Sequence, residues 1–415
     1  MTLINRLAYL APEIPSLSAT FVYNEIFQLQ AMGIEVEAFS VHESGYGADD
    51  IQIQQLTEKT FNLYCQPKLS VLMDNIMQLI HFPSRYLKTL SLLIKDIRYI
   101  GFSRTSVGLV YRMFFSAGLA RQLQQKECQH LHVHFAHVPT DIAMYAASLS
   151  GITFSVTAHA NDLYERGWLL KQKVERSSFF ATISDFNKQF LKSEGIPLDK
   201  IKIIRCGVNI KDFSPRINRK LHAVPKIGAV GRLVEKKGMD VLIKAVAQIK
   251  QQGQRVELHI AGSGPMEQTL KQLAEMNGLD AKDIYFWGAM QHSEVEKFIK
   301  SLDVFVLPCK QDANGDIDGI PVVLMEAMLS AVPVISTRIS GVPELVIDNV
   351  TGLLAEPDDE KSLLEKITLM LREEGLRNNM VDKAIDKVKT DFSLQLNTEK
   401  LQHLFCNVIE NSSKT

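Results

Sequence analysis

Short apolar runs typical of buried strands alternate with longer segments typical of helices along this 415-residue chain, and the alternation limits its fold more than any other feature. In the N-terminal half, strand-like runs occur at residues 7–10, 34–41, 130–135, 153–158 and 201–204, and helix-like segments at 20–32 and 140–149. Parallel strands need a long crossover, which is usually a helix, so this order predicts a parallel sheet covered by helices.

The same order restarts after residues 206–224, a looser stretch that contains Pro215 and few apolar residues. Here the strand-like runs are 226–230, 256–260, 284–287, 304–307 and 333–336, and the helix-like segments are 240–250 and 322–329. The sequence therefore predicts an α/β protein with two doubly wound, Rossmann-like domains that face one another across a cleft. We expect the first domain at 1–205, a linker at 206–224 and the second domain at 225–380.

Composition narrows the classes of function. Lys and Arg total 46 and Asp and Glu total 47, so the net charge of -1 gives no overall field to attract nucleic acid. No uninterrupted apolar run reaches about 18 residues, and the N-terminus lacks the basic flank and apolar stretch of a secretion signal. The five cysteines are scattered without a Cys-x-x-Cys pair, which fits a reducing compartment. We therefore expect a cytoplasmic protein with no spanning helix and no nucleic-acid partner.

Two carboxylates stand at the start of the predicted helix 322–329. Asp318 precedes the helix and Glu326 lies inside it, so the two can hold different parts of one extended ligand, such as a sugar and a ribose. Pro321 suits the first turn, where the free N–H groups and the positive helix end favour an anion. The alternative is an ordinary loop and helix with one solvated and one buried acid.

A basic turn directly follows the predicted strand 226–230. Gly231 allows the backbone to turn, while Arg232 and Lys237 place two cations near the same point. Arginine offers a planar fork for phosphate oxygens and lysine a mobile point charge, so the pair suits a diphosphate. The alternative is a solvated basic turn.

Six motifs in order make the C-terminal half similar to glycosyltransferase family 4, the retaining, nucleotide-sugar-dependent enzymes with the GT-B architecture. They are Gly231-Arg-Leu with Lys237-Gly238, Ala261-Gly-Ser-Gly-Pro265, Trp287-Gly288, Asp318 to Glu326, Pro333-Val-Ile-Ser-Thr337 and Gly341-Val-Pro-Glu344. The resemblance covers roughly residues 226 to 360. The N-terminal half resembles the family more weakly, through His134-Phe-Ala, Ser155-Val-Thr-Ala-His159 with Asp162, and Ala181-Thr-Ile-Ser184.

The resemblance implies a role for individual residues. Arg232 and Lys237 would neutralise the leaving diphosphate, Asp318 would touch the hydroxyls of the donor sugar, and Glu326 would hold the ribose. The residues expected at the donor are Gly231, Arg232, Lys237, Gly288, Met290, Asp318, Gly319, Ile320, Val322, Val323 and Glu326. His159 would lie beside the donor sugar, with His134 and Asp162 on the acceptor side. Residues 381–415 would carry a helix, at 392–409, that packs back on the N-terminal domain.

The resemblance also implies the reaction. A hexosyl group would pass from a UDP- or GDP-sugar to a saccharide or lipid-linked saccharide, with retention of configuration and without a metal or a tightly bound cofactor. The family usually has glutamate where this chain has Asp318, and glycine is commoner where Pro321 stands. Two alternatives stay open: another GT-B reaction, such as a sugar-nucleotide epimerase or a phosphorylase, and an inactive GT-B binding partner.

Two patterns suggest a metal. Asp316-Ile-Asp318 has the D-x-D form that binds a divalent ion in another glycosyltransferase architecture, but two cations already serve the diphosphate here. His130, His132 and His134 alternate along one strand, with His137 after them. We favour a polar strand face over a zinc site, because no cysteine or acidic partner stands at metal spacing.

The near-zero total charge conceals a strong local imbalance. Residues 68–126 carry nine basic and two acidic side chains, a local charge of +7, whereas residues 1–67 carry two basic and eight acidic ones. Apolar clusters lie between the cations of the basic segment. Such a segment can lie on the anionic, inner face of a membrane without crossing it. The alternative is a set of core-facing helices with a solvated basic face.

Overall fold

The computed structural model describes residues 4–16, 19–45, 47, 50–217 and 220–412. The chain divides into two compact units. The first contains the chain up to Ile183, together with Asn187–Ile204 and the C-terminal segment from Leu394. The second contains Ser184–Phe186 and Arg205–Ser393.

The unit boundaries differ from the expected ones in three places. Ser184–Phe186 were expected in the first domain and belong to the second unit. Residues 206–224, expected as a linker, belong to the second unit. Arg216 explains this placement, because its guanidinium donates to the carbonyl of Leu302 and pairs with Asp303 at 3.4 Å. Residues 381–391 also belong to the second unit, and the chain returns to the first unit only at Leu394.

The first unit is built on one parallel sheet of seven strands, in the order β3-β2-β1-β4-β5-β6-β7. Its strands are β1 Arg6–Ala11, β2 Glu35–Ser40, β3 Phe61–Asn62, β4 His130–His134, β5 Thr153–Ala158, β6 Phe180–Thr182 and β7 Ile201–Ile203. The helices of this half are α1 Thr20–Ala31, α2 Ile51–Lys59, α3 Lys68–His81, α4 Pro83–Ile100, α5 Arg104–Gln125, α6 Val138–Ser150, α7 Asn161–Tyr164, α8 Leu170–Arg176 and α9 Asp185–Ser193. The central strands are buried along nearly their whole length, as in sheets covered on both faces.

The second unit contains a parallel sheet of six strands, in the order β10-β9-β8-β11-β12-β13. Its strands are β8 Lys226–Val230, β9 Glu257–Ala261, β10 Ile284–Phe286, β11 Val304–Leu307, β12 Val334–Thr337 and β13 Leu353–Ala355. The helices are α10 Met239–Gln251, α11 Glu267–Met276, α12 His292–Lys300, α13 Val322–Leu329, α14 Val342–Leu345, α15 Glu360–Arg372 and α16 Glu374–Asp391. Both sheets have the strand order of a Rossmann fold, so the predicted fold class of two doubly wound α/β domains is confirmed.

The last helix, α17 Leu394–Ser412, packs in the first unit. Its buried side chains Leu401, Phe405 and Ile409 share one hydrophobic cluster with Tyr9 and Ile26. The chain therefore closes the core of its N-terminal sheet with its C-terminal residues.

Each strand predicted from an apolar run is present, with ends within one residue of those expected. Among the described residues, none of the helices combines the length and the apolar character that crossing a bilayer requires.

Candidate active site

The order of the second sheet reverses between β8 and β11, which are hydrogen-bonded neighbours. Ligands of such sheets bind beyond the carboxyl ends of the strands at this reversal. The loop after β8 contains Gly231 and Lys237, and the loop after β11 leads through Asp318 to α13. The two predicted motifs, the basic turn and the segment that leads to α13, thus follow the ends of neighbouring strands.

Two glycines allow the loop after β8 to approach the loops after β11 and β9 closely. A Cβ on Gly238, which has φ of +65°, would lie 1.9 Å from the carbonyl oxygen of Pro308. A Cβ on Gly262 would lie 1.9 Å from the carbonyl oxygen of Gly231. Neither position accepts a side chain, because a Cβ would overlap with backbone.

Gly231 has another role than the expected one. It is not among the glycines with positive φ, so the turn does not require it. A Cβ there would make only ordinary contacts, at 3.6 Å, with the side chain of Lys237. The glycine therefore leaves space beside that lysine.

Lys237 and Asp318 form the centre of a charge cluster. The Nζ of Lys237 lies 2.7 Å from one carboxylate oxygen of Asp318. The Nζ of Lys236 lies 3.5 Å from the other oxygen and 2.6 Å from Asp316. Burial acts to raise the pKa of Asp318, but the charges of Lys237 and Lys236 outweigh it and hold this pKa below its usual value. Both aspartates of the D-x-D pattern thus pair with lysines.

The sequence reasoning did not assign Lys236 or Cys309 to the site. The thiol of Cys309, which follows β11, donates a hydrogen bond to Asp318 over 3.6 Å. Burial and the nearby Asp318 carboxylate raise the pKa of this thiol well above its usual value, so it stays protonated. Asp318 is therefore held from three sides, with Lys237, Lys236 and Cys309 as its partners.

Arg232 differs from the two lysines in having an exposed side chain. Among the described residues its guanidinium has neither an ion-pair nor a hydrogen-bond partner. It is near enough to Lys237 for its charge to oppose the protonation of that lysine. The arginine is therefore available to an anion placed next to Lys237.

The helix α13 begins beside this cluster. Pro321 is the N-cap and Val322 the first helical residue, so the proline precedes the first turn instead of lying in it. The first N–H groups of a helix have no partner within it, which leaves those of Val322 and Val323 for a ligand. Ile320 is buried among the core residues of the second unit, and Gly319 is half-buried.

Glu326, one turn further along α13, carries the second predicted carboxyl group of the site, and its surroundings differ from those of Asp318. It is 7% exposed, and within the described part of the chain its carboxyl group has no hydrogen-bond partner. Burial alone raises its pKa to about 7. Near neutral pH this acid is thus divided between its neutral and charged forms.

Gly288 and Met290 follow β10. Gly288 has φ of +70°, and its carbonyl accepts the N–H of Gly262 at 2.7 Å. Met290 is half-buried against the core of the second unit. The carbonyl of Gly288 therefore already joins the loop after β10 to the loop after β9.

In the first unit, the order reverses between β1 and β4, and the expected histidines lie at this edge. His134 ends β4, and its Nδ1 lies 3.2 Å from Nε2 of His159, which follows β5. The other nitrogen of His134 lies 3.1 Å from the Glu25 carboxylate, which also accepts the Tyr9 hydroxyl at 2.8 Å. Burial, then the neighbouring His134, lowers the pKa of His159 well below its usual value, so its ring is neutral at pH 7.

Asp162 is hydrogen-bonded to backbone N–H groups at the same edge of the first sheet. It is fully buried and accepts hydrogen bonds from the N–H groups of His159, at 2.8 Å, and of Ala136. Burial raises its pKa to about 6. The carboxylate expected on the acceptor side is thus occupied in fixing the position of His159.

The first two histidines of β4, His130 and His132, are satisfied by the neighbouring strand β5. Thr153 and Ser155 of β5 bond the two nitrogens of His130, at 2.7 Å each. The ligand atoms of Glu25, His132 and His134 lie within 4.8 Å of one another, so the expectation that no acidic partner is near was wrong. Glu25 comes from α1, 109 residues before His134, where spacing along β4 cannot reveal it.

His130 gives a prediction for acid stability. Burial lowers its pKa to about 3, against about 6.5 when unfolded, so the unfolded chain binds more protons between these values. The stability that this neutral ring provides is complete above pH 6.5 and falls by about 2 kcal/mol at pH 5. In chemical denaturation, His130→Asn should reduce the loss of stability between pH 7.5 and pH 5. Exposed His403, changed to Asn, is the control and should keep the wild-type pH dependence; an unchanged pH dependence in His130→Asn would contradict the assignment.

Family models match both halves of the chain. Residues 18–212 match the model described as Glycosyltransferase Family 4, and residues 211–387 match Glycosyl transferases group 1. The chain belongs to glycosyltransferase family 4.

This glycosyltransferase has relatives among enzymes of polysaccharide and glycolipid synthesis. It is 36% identical over 56% of its length to the putative colanic acid biosynthesis glycosyltransferase WcaL of Escherichia coli, of which it covers 58%. It is 34% identical over 59% of its length to the amylovoran biosynthesis glycosyltransferase AmsK of Erwinia amylovora, of which it covers 62%. With WcaL of Salmonella typhimurium it shares 29% identity over 96% of its length and 99% of that protein.

A more distant relative names its donor. The chain is 29% identical over 46% of its length to a GDP-mannose-dependent phosphatidylinositol monomannoside mannosyltransferase of Mycobacterium tuberculosis, of which it covers 54%. The chain thus spans less than two thirds of three of these four relatives.

Solved structures show the same fold. Sucrose-phosphate synthase of Thermosynechococcus elongatus matches with a TM-score of 0.75 and 17% identity, over 98% of this chain and all of that one. HepE of Anabaena, in complex with UDP and glucose, matches with a TM-score of 0.72 and 14% identity, over 97% of this chain and all of that one. The glycosyltransferase therefore has the GT-B fold.

Proposed function

We propose that this glycosyltransferase transfers a hexosyl group from a UDP- or GDP-sugar to a saccharide or lipid-linked saccharide, with retention of anomeric configuration. The acceptor class is supported by the relatives that act in colanic acid, amylovoran and phosphatidylinositol mannoside synthesis. UDP is bound by HepE, and GDP-mannose is the donor named for the mycobacterial relative.

The observation that carries the proposal is the set of positive groups at the reversal of the second sheet. Lys237 lies next to Arg232, which has no ion-pair partner among the described residues, and with the N–H groups at the start of α13 they form a site for a diphosphate. The glycine at 231 leaves room for phosphate oxygens beside the lysine. As the sugar leaves, negative charge develops on the diphosphate, and these fixed groups stabilise it.

Two acids would then hold the two ends of the donor. The buried Glu326 carboxylate, which has no hydrogen-bond partner in the described part of the chain, would accept hydrogen bonds from the ribose hydroxyls and lose its desolvation penalty on binding. Asp318, fixed by Lys237, Lys236 and Cys309, would accept from a hydroxyl of the sugar. The main chain from Gly288 to Met290 would contact the base.

In the transfer step, the bond from the anomeric carbon to the diphosphate oxygen breaks and a bond to the acceptor oxygen forms on the same face of the sugar. The acceptor hydroxyl gives its proton to the departing diphosphate. We assign His159 the role of steadying the positive charge that develops near the anomeric carbon. Its lowered pKa keeps the ring neutral at pH 7, and Asp162 holds its backbone.

Lys237 and Arg232 meet the charge of the diphosphate, so the reaction is proposed to need neither a metal nor a tightly bound cofactor. We place the reaction in the cytoplasm, at the inner face of the cytoplasmic membrane where lipid-linked acceptors are presented.

The test is turnover of UDP- and GDP-sugars with oligosaccharide and lipid-linked acceptors, in the presence and absence of EDTA. We expect a product only when the acceptor is added, the same rate with EDTA, and an α-linked product from an α-linked donor by NMR. A product formed without acceptor would indicate an epimerase, and a β-linked product would refute retention. Tight donor binding without turnover of any pair would favour an inactive binding partner.

A further inference from the structure

The helix α3 is turned so that its polar side faces the protein. Its buried residues include Asp74, Asn75 and Gln78, and each has a partner within the unit. Asp74 pairs with Arg121 at 2.7 Å, Asn75 donates to the carbonyl of Phe114, and Gln78 donates to Gln124. A helix on a soluble protein normally buries its apolar side, so this orientation is the reverse of the usual one.

The apolar side of α3 is exposed. It carries Leu69, Leu72, Met73, Ile76, Met77 and Ile80. These positions recur at intervals of three and four residues, which places them on one continuous face. Leu69 is 71% and Ile80 66% exposed. A contiguous apolar face of this kind marks an interaction surface.

The exposed apolar surface continues over the next two helices. It includes Leu87, Leu90 and Ile94 on α4, which share one face by their spacing. Phe102, between α4 and α5, is 94% exposed. On α5 the exposed set is Val107, Val110, Tyr111 and Phe114. We name the exposed apolar side chains of residues 69–114 the apolar face.

The charges around the apolar face are of one sign. Residues 68–126 contain two acids, and both are buried in ion pairs, Asp74 with Arg121 and Asp96 with Arg176 at 2.7 Å. Five basic residues are exposed and have neither an ion-pair nor a side-chain hydrogen-bond partner among the described residues. They are Lys68, Lys88, Lys95, Arg98 and Arg104.

The free cations of α4 lie next to its exposed apolar residues. On a helix, Lys88, Lys95 and Arg98 share a face by their spacing of seven and three residues, adjacent to the one that carries Leu87 and Ile94. A row of cations beside an apolar face is the arrangement of helices that lie in the plane of an anionic membrane.

We propose that the apolar face and the free cations around it bind the surface of an anionic phospholipid bilayer. The apolar side chains enter the boundary between headgroups and acyl chains, and the cations contact phosphate groups. A lipid surface fits better than a protein partner because residues 68–126 offer cations and apolar groups over three helices. Both acids of this segment are already paired with arginines. Bilayer binding would hold the protein where lipid-linked acceptors are found.

Flotation with vesicles tests this directly, without any sugar substrate. We expect the whole protein to float with phosphatidylcholine vesicles that contain phosphatidylglycerol, and not with phosphatidylcholine alone. The triple variant Lys88→Glu/Lys95→Glu/Arg98→Glu should bind at least about 100-fold more weakly, at about 1 kcal/mol for each cation near the surface. Leu69→Ser/Phe102→Ser should also lose binding, and high salt should weaken binding of the wild type.

Matched controls separate this surface from general charge and hydrophobicity. Lys361→Glu/Lys383→Glu/Lys389→Glu reverses three exposed lysines of the second unit, and Ile51→Ser/Met276→Ser removes two exposed apolar side chains elsewhere. Both control variants should float like the wild type.

Failure of the wild type to float at low salt, or equal loss of binding in the control variants, would overturn the proposal. If the wild type did not bind vesicles but formed a stable dimer, and Leu69→Ser/Phe102→Ser dissociated that dimer, the apolar face would be assigned to contact with a second copy of the chain. A negative flotation result leaves the transfer reaction unaffected, because turnover on soluble acceptors is measured separately.

Discussion

Replacement of Lys237 by alanine is expected to lower kcat/KM by about 10²- to 10³-fold, the effect of removing one group that stabilises charge in the transition state. The ion pair with Asp318 holds Lys237 in place in the loop after β8, so its ammonium group is in a defined position before the donor arrives. Hydrolysis of the donor without acceptor should fall by a similar factor, because the diphosphate leaves in that reaction as well.

The control for this variant addresses stability. Removing Lys237 leaves the partly buried Asp318 carboxylate with Lys236, at 3.5 Å, as its remaining ion-pair partner among the described residues, so some loss of stability is expected. Lys250→Ala removes a 2.6 Å ion pair with Asp283 in the same unit, outside the site, and should keep wild-type activity. Melting curves show whether each variant is folded at the assay temperature. A folded Lys237→Ala enzyme with near-normal kcat/KM would remove the site assignment.

Replacement of Glu326 by glutamine is expected to change ligand affinity and stability in opposite directions. The pKa of Glu326 is about 7, so the carboxylate fraction rises about tenfold from pH 6 to pH 8. If the carboxylate holds the ribose, the wild type should bind a nucleoside diphosphate about tenfold more tightly at pH 8, apart from the titration of the ligand itself. Glu326→Gln should show only the ligand's own pH dependence and should bind less tightly at pH 8.

The stability of the same variant follows from linkage. The folded-state pKa lies above the unfolded value, so the charged form increasingly destabilises the fold as pH rises from about 4.5 to 7. Without ligand, Glu326→Gln should therefore be more stable than the wild type at pH 8, by up to about 3 kcal/mol, and the difference should shrink to about 1 kcal/mol at pH 5. Calorimetry and thermal melting at both pH values measure the two effects. Equal melting temperatures at pH 8, or an unchanged pH dependence of binding, would show that Glu326 has another role.

Much of the fold was predictable because its strands are short apolar runs buried on both faces. The strands that no prediction included, β3, β6 and β13, contain only two or three residues each. Shortness alone does not hide a strand, because β7 and β10 also contain three residues and were predicted. The unit boundaries were less predictable. Residues 206–224 have the composition of a linker, yet Arg216 anchors that stretch to the second unit by contacts over 80 residues away in sequence.

The candidate site was predictable where its residues follow strand ends, as Lys237 and Asp318 do. Glu25 was not, because its contact with His134 joins parts of the chain 109 residues apart. Cys309 packs against Asp318 through the fold of one loop, which residue type alone does not indicate. The orientation of α3 depends on the partners of its buried Asp74, Asn75 and Gln78, so its sequence left both a core-facing and a membrane-facing surface open.

The central claim is that the loops after β8 and β11, with α13, bind the diphosphate and ribose of a sugar nucleotide. Titration calorimetry of the wild type, Lys237→Ala and Glu326→Gln with UDP and GDP at pH 8 and without metal tests it most directly. We predict one saturable site for at least one of the two nucleotides, with markedly weaker binding in both variants and wild-type binding in Lys250→Ala. Absence of binding of either nucleotide to the folded wild type, or equal affinities in all four proteins, would contradict the account.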